Sequence, residues 1–217
     1  MFKVAIFDLD GTLLNTLDDL ANACNYALNK FSFPIHEVEK YKTFIGNGIY
    51  KLVERALPDN KKDRETVEKV LEVFSEYYNE HMMDMTKPYD GIIDLLDELR
   101  IKEIKLGVVS NKQHDFTIEI VNKYFGNRFN IVFGHRENYK EKPDPTSVLE
   151  MIEILGASKS ECIYIGDSNV DIMTAKNSGV QNIGVSWGFR GKEELAKAGA
   201  NYLADNTIEL KNIIINN

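Results

Sequence analysis

Lys3-Val4-Ala5-Ile6-Phe7-Asp8-Leu9-Asp10-Gly11-Thr12 is the stretch on which the reading of this chain turns. Val4 to Phe7 is an apolar run with the length of a buried strand. Two carboxylates, Asp8 and Asp10, follow where that strand gives way to a loop. Carboxylates there cost free energy unless something compensates their charge. A hard divalent cation such as Mg²⁺, which prefers oxygen ligands, is the natural partner. Gly11 allows backbone angles other residues resist and lets the chain approach a ligand closely, so we expect Gly11 and Thr12 beside a substrate. An acidic turn is the plainer reading, because Asp and Gly are ordinary turn residues. Three downstream segments favour the chemical reading.

Working outward, further apolar strands end in polar residues. Ile104–Val109 runs into Ser110-Asn111, and Cys162–Ile165 runs into Gly166-Asp167. Ile131–Phe133, Ile183–Val185 and Tyr202–Ala204 are shorter candidates. Helical patterns lie between them, such as Val148, Leu149, Ile152 and Leu155. There Asp144-Pro145 reads as the start and Gly156 as the stop. Strands alternating with helices predict an α/β fold with a parallel sheet covered on both faces. Ligands bind such sheets at the carboxyl ends of the strands, and Asp8, Ser110 and Asp167 all belong at that edge. Residues 16–84 break the alternation with three helical stripes and no strand pattern. They read as a helical insertion, a cap, leaving 1–15 and 85–217 as the core. An insertion at this edge is well placed to serve as a lid.

The strand-end residues supply complementary chemistry. Asp8, ionised at neutral pH, can attack a phosphorus centre as a nucleophile. Asp10 can protonate the leaving oxygen and then deprotonate water, a task that a neighbouring carboxylate and partial burial would help. Asp167 is a candidate metal ligand. Ser168 and Asp171 have the spacing of a capping box, and Asp171 is also a candidate metal partner. Ser110, with Asn111 beside it, can hold a phosphate oxygen, or can cap the helix expected near Gln113. Lys142, next to Pro143 and a fixed helix start, can neutralise charge on a transferring phosphoryl group. A lysine is otherwise simply solvated.

These four segments, Asp8-Leu9-Asp10-Gly11-Thr12, Ser110-Asn111, Lys142-Pro143-Asp144-Pro145 and Gly166-Asp167-Ser168-Asn169-Val170-Asp171, resemble in order the four motifs of the haloacid dehalogenase superfamily of hydrolases. The resemblance spans the chain. It implies a Rossmann-like three-layer core with an inserted α-helical cap and an aspartyl-phosphate mechanism needing Mg²⁺. In that mechanism Asp8 is nucleophile and metal ligand. Asp10 is acid/base and binds metal through its backbone carbonyl. Ser110 and Lys142 bind phosphate, and Asp167 binds metal. A second Asp at position 10 favours phosphatase over dehalogenase chemistry.

Ile45-Gly46-Asn47-Gly48-Ile49, Leu52–Leu57 and Val185–Arg190 are similar to the matching stretches of phosphoglycolate phosphatases. Backbone N–H groups at a helix start attract anions, so Gly46, Asn47 and Gly48 are expected to receive a substrate carboxylate. Alternatively, Asn47 caps the helix and the glycines only turn the chain. Relatives acting on pyrophosphate or sugar phosphates share these features, and a β-phosphoglucomutase-like phosphomutase is a further alternative. A receiver-like phosphoacceptor domain has similar groups, but lacks the insertion and carries its acceptor Asp after a later strand.

Composition narrows the partners. The net charge of −8 argues against nucleic acid and anionic membrane. No apolar run approaches membrane-spanning length and no signal-like segment precedes the first strand, so we expect a cytoplasmic monomer or homodimer acting on a small phosphorylated metabolite. Cys24 and Cys162 lie in apolar segments and read as buried thiols. His36, His81, His114 and His135 show no ligand spacing.

Overall fold

The computed structural model describes residues 2–217. The chain divides into two compact units, Met1–Leu14 with Pro88–Asn217, and Asn15–Lys87.

The first unit is built on β1 (Val4–Phe7). Its centre is a six-stranded sheet. The chain leaves β1 through a two-residue strand, β2 (Leu14–Asn15), which pairs with β3 (Lys87–Pro88) in a separate small sheet. The remaining strands are β4 (Lys105–Gln113), β5 (Ile131–His135), β6 (Cys162–Gly166), β7 (Gln181–Val185) and β8 (Tyr202–Ala204). Their order across the large sheet is β5-β4-β1-β6-β7-β8, with parallel pairing throughout.

Every residue of β1 and β6 is buried, as expected of central strands covered on both faces. Val4, Ile6, Cys162 and Tyr164 pack with Val148, Met151, Ile152 and Leu155. Ala5, Phe7, Ile163 and Ile165 point to the opposite face and are fully buried as well. This is the α/β core with a parallel sheet expected from the alternating pattern, and the Rossmann-like core that the resemblance implies. Phe7 stands in register with Val108 of β4 and Ile165 of β6. That register brings Asp8, Ser110 and Asp167 to one sheet edge.

One helix start and one strand end differ in detail from expectation. The helix after β5 spans Thr146–Leu155, one residue later than the sequence suggests. The cap position is therefore Pro145 rather than Asp144, although Asp144 accepts a hydrogen bond from Thr146 N at 3.0 Å. The strand ending at the second motif also runs further than Val109, because β4 continues to Gln113 before the next helix begins at His114.

The second unit contains α1 (Leu17–Lys30), α2 (Gly48–Ala56) and α3 (Arg64–His81). Leu20, Cys24 and Leu28 of α1 and Val67, Val70 and Phe74 of α3 are buried at helical spacing. The unit reaches Lys87 rather than the expected 84. The reason is Asp19 on α1, whose buried carboxylate accepts hydrogen bonds from Met85 N and Thr86 N. The first unit supplies α4 (Ile92–Ile101), α5 (His114–Phe125), α6 (Thr146–Leu155), α7 (Asn169–Ser178), α8 (Lys192–Ala198) and α9 (Thr207–Asn216). Among the described residues no helix is long and apolar enough to cross a membrane.

Candidate active site

Two strand ends, one helix start and one loop converge in the first unit. Asp8 leaves β1 with its N–H bonded to Ile165 O at 2.8 Å, which fixes the backbone from which its carboxylate projects. Asp167 follows β6 directly, and Asp171 sits in the first turn of α7. One carboxylate oxygen from each of Asp8, Asp167 and Asp171 lies within 4.8 Å of the others. All three residues are buried.

Lys142 stands among them. Its Nζ is 2.7 Å from Asp8 Oδ1, 2.8 Å from Asp171 Oδ1 and 3.2 Å from the Tyr164 hydroxyl. The backbone of Lys142 is clamped by Asn111, whose Oδ1 accepts from Lys142 N at 2.7 Å and whose Nδ2 donates to Lys142 O at 3.2 Å. Tyr164 donates its hydroxyl to Val109 O, so it too is anchored to the sheet.

The electrostatics follow from burial. Removal from water, and then the charge of Asp171, push the Asp8 carboxyl up to about 7, while Lys142 pulls the other way. Burial, Asp171 and Asp8 hold Asp167 well above the usual carboxylate range. Burial opposes the Lys142 ammonium, but Asp171 and Asp8 overcome it and raise Lys142 well above an ordinary lysine. Three buried carboxylates thus face one buried ammonium. An all-oxygen donor set whose ionised form is disfavoured without a further cation fits a hard divalent ion such as Mg²⁺, so Asp8 and Asp167, with Asp171 beside them, could hold one.

Two glycines shape the wall around Asp167. Gly11 adopts φ +84°, and a Cβ there would lie 2.3 Å from Asp167 Oδ2. A Cβ on Gly188 would lie 2.2 Å from Asp167 Cβ. Asp167 Oδ2 also accepts from Phe189 N at 2.7 Å, so its carboxylate is closely confined. Gly11→Ala should therefore displace Asp167 as well as strain the turn. The expected result is a loss of at least about tenfold in kcat/KM, since misplacement by 1 Å can cost about a hundredfold. Steady-state assays of the folded variant check it.

Several expected site residues also hold other site residues in place. Thr12, expected beside substrate, is fully buried and donates its hydroxyl to Asp167 Oδ1 at 3.4 Å. Asn111, also expected at the substrate, uses its side-chain amide on Lys142. Asp171 completes the capping box: its Oδ2 accepts from Ser168 N at 3.1 Å and from the Ser168 hydroxyl at 2.6 Å. Its other oxygen faces Lys142 at 2.8 Å, so the capping reading of Asp171 holds and the residue also joins the charge cluster. Ser110 Oγ accepts from Lys112 N at 3.1 Å, a bond that leaves the hydroxyl proton for another acceptor.

Asp10 has a partner that the sequence did not suggest. Its carboxylate faces the ammonium of Lys112, 3.1 Å from Oδ1, and is near enough to Asp8 to help raise that carboxyl. Gly46, Asn47 and Gly48 belong to the second unit. There Asn47 does not cap α2; its Oδ1 accepts from Arg55 Nη2 at 2.7 Å. Cys24 and Cys162 are buried, which pushes their thiols up to about 12 and about 11 and removes them as nucleophiles.

Comparison with known proteins places this site in a family. The family model of haloacid dehalogenase-like hydrolases matches residues 5–185. A phosphoglycolate phosphatase of Aquifex aeolicus is 33% identical over 190 residues, covering 86% of each chain. A phosphoglycolate phosphatase of Chromobacterium violaceum is 30% identical over 99% of this chain and 97% of its own. The crystal structure of a candidate phosphoglycolate phosphatase from Lactobacillus delbrueckii subsp. bulgaricus superposes with a TM-score of 0.96 at 36% identity, covering 100% of this chain and 99% of that one. The chain therefore belongs to the haloacid dehalogenase-like hydrolase family, in its phosphoglycolate phosphatase-like branch, and is a hydrolase of phosphoric monoesters.

Proposed function

We propose that the protein is a Mg²⁺-dependent phosphatase that hydrolyses phosphoglycolate through an aspartyl-phosphate on Asp8. The observation that carries this reading is the contact of Lys142 Nζ with Asp8 Oδ1 at 2.7 Å inside a buried group of three carboxylates. A carboxylate so placed has a fixed direction and a cation beside the position where phosphoryl charge would gather.

In the first step an Asp8 oxygen forms a bond to phosphorus as the ester P–O bond breaks. The leaving oxygen takes a proton from Asp10. Lys142 and the Ser110 hydroxyl hold the phosphoryl oxygens. In the second step Asp10 takes a proton from water, the water oxygen attacks phosphorus, and the acyl P–O bond breaks to return Asp8 as a carboxylate and release phosphate. Asp8, Asp167 and the Asp10 backbone carbonyl would hold the cation, with Asp171 beside them. When bound, it supplies positive charge that lets the phosphate dianion approach Asp8. Removing it with EDTA should abolish turnover, and Mg²⁺ but not a monovalent salt should restore it. Full activity in metal-stripped protein would refute this part of the reading.

For the substrate, the reading rests on the relatives and on the start of α2. The side chain of Asn47 does not cap that helix. A helix N-terminus favours an anion, and phosphoglycolate carries a carboxylate beyond its phosphate. The expected outcome is a kcat/KM for phosphoglycolate at least about tenfold above that for ethyl phosphate, a difference of about 1.4 kcal/mol. Equal values would remove phosphoglycolate as the substrate while leaving the phosphatase chemistry intact.

A further inference from the structure

Lys112 is 5% exposed although nothing in the motifs asks for a buried lysine. Lysines are almost never buried unless paired. This one faces Asp10, with Nζ 3.1 Å from Oδ1 and 3.5 Å from Oδ2. The Asp10 side chain is itself only 15% exposed. The same residue reaches a second part of the site, because Lys112 N donates to Ser110 Oγ at 3.1 Å. The backbone of Lys112 is held in turn: its carbonyl oxygen accepts from the Thr117 hydroxyl of α5 at 3.1 Å. A Cβ on Gly134 of β5 would come within 2.6 Å of that carbonyl oxygen. Lys112 is thus packed from two neighbouring elements, and its side chain runs from this fixed base to one carboxylate.

We infer that Lys112 is a positioning residue that fixes the Asp10 carboxylate at the leaving oxygen of the substrate, and so sets the efficiency with which the enzyme expels a leaving group that needs a proton. The inference deepens the proposed mechanism and rests on Asp10 as its acid. An ammonium facing both oxygens restricts rotation of the carboxylate. A proton donor must lie within hydrogen-bond reach of the atom it protonates, so a carboxylate released from Lys112 loses its reach even though it is still present. Lys112 itself touches no reacting atom in this account.

The leaving group separates this role from a structural one. An alkoxide needs a proton as the ester bond breaks; p-nitrophenolate leaves without one. The parameter kcat/KM reports the steps through loss of the leaving group, so later hydrolysis of the phosphoenzyme does not enter. The experiment compares the Mg²⁺-loaded wild type, Lys112→Met, Lys112→Arg and Asp10→Asn on phosphoglycolate, glycerol phosphate and p-nitrophenyl phosphate. Thermal melts establish that each variant is folded. Lys112→Met should lower kcat/KM for the alkyl esters by about tenfold or more, a part of the roughly 10²–10⁴-fold that general acid catalysis contributes. Its loss on the aryl ester should be several-fold smaller, and Lys112→Arg should recover part of the alkyl activity. Asp10→Asn should show the same selectivity with larger losses. An equal loss on both ester classes in Lys112→Met, or no loss on either, overturns the inference when Asp10→Asn remains selective. If Asp10→Asn shows no selectivity, the acid assignment fails and the inference fails with it. Should Lys112→Met not fold, Lys112→Gln is read by the same criteria.

Discussion

Asp8→Asn should abolish turnover, with kcat falling by roughly 10³-fold or more, as when other nucleophiles are removed. The substitution is nearly isosteric, so the packing of β1 against β4 and β6 is retained. The Asp8 N–H remains bonded to Ile165 O, because that bond belongs to the backbone. Lys142 loses one carboxylate partner and keeps Asp171 at 2.8 Å. The variant should therefore fold, and its circular dichroism spectrum should match the wild type. What it loses is the ability to form the bond to phosphorus, since a neutral amide is a poor nucleophile. Substrate binding should survive, because Lys142 and Ser110 are untouched. Assay of variant protein from a host lacking background phosphatase, alongside calorimetric binding of phosphoglycolate, separates the two quantities. Turnover within tenfold of wild type would contradict the assignment of Asp8.

Lys142→Met should damage both stability and rate. Methionine keeps the chain length but removes the ammonium that faces Asp8, Asp171 and the Tyr164 hydroxyl. Removing one partner from a buried charge network typically costs about 3–5 kcal/mol, because the remaining charges stay desolvated. For a chain of this size that corresponds to a fall in Tm of about 10 °C. The rate should fall by about 10²–10³-fold, the range for loss of one charge-stabilising group. Saturating Mg²⁺ should recover part of the Tm, since a cation bound to the folded state stabilises it, but not the rate. Lys142→Arg should not rescue activity. A planar, forked guanidinium cannot replace a compact ammonium between three oxygens whose positions are set by β1, β6 and α7. Thermal melts with and without Mg²⁺, together with steady-state kinetics, check each part. An unchanged Tm and a kcat within tenfold of wild type would show that Lys142 is not part of the charge network.

How far the sequence revealed this arrangement depends on the range of each interaction. Asp8 and Asp167 were legible because each follows an unbroken apolar run, and a parallel sheet puts such strand ends at one edge. The core strands were legible for the same reason. Asp171 was ambiguous because capping needs only a local spacing of three residues, whereas its bond to Lys142 crosses 29 positions. The roles of Asn111 and Thr12 were hidden because their partners, Lys142 and Asp167, are 31 and 155 residues away. Proximity to a motif suggested substrate contact and gave no hint that both side chains also bond other site residues.

Lys112 was missed for two physical reasons. The apolar run ends at Val109, which suggested that the strand stops there, yet β4 carries on to Gln113. A lysine outside an apolar pattern also reads as solvated. A signal was present in Gly134 on the neighbouring strand, where any side chain would collide with Thr117, His114 and the Lys112 carbonyl. The helices of residues 16–84 were visible from their periodicity. The pairing of Asn47 with Arg55 within that unit was not, because the seven intervening residues fold into a helix start before the two side chains meet.

The central claim is that phosphoryl transfer proceeds in two displacements with Asp8 between them. The most direct test is the stereochemical course at phosphorus, using a phosphate monoester whose phosphoryl oxygens are isotopically chiral and an acceptor alcohol to capture the phosphoryl group. Each in-line displacement inverts phosphorus, so transfer through Asp8 should give overall retention. Overall inversion would mean that the acceptor attacks the substrate directly, and would contradict the account.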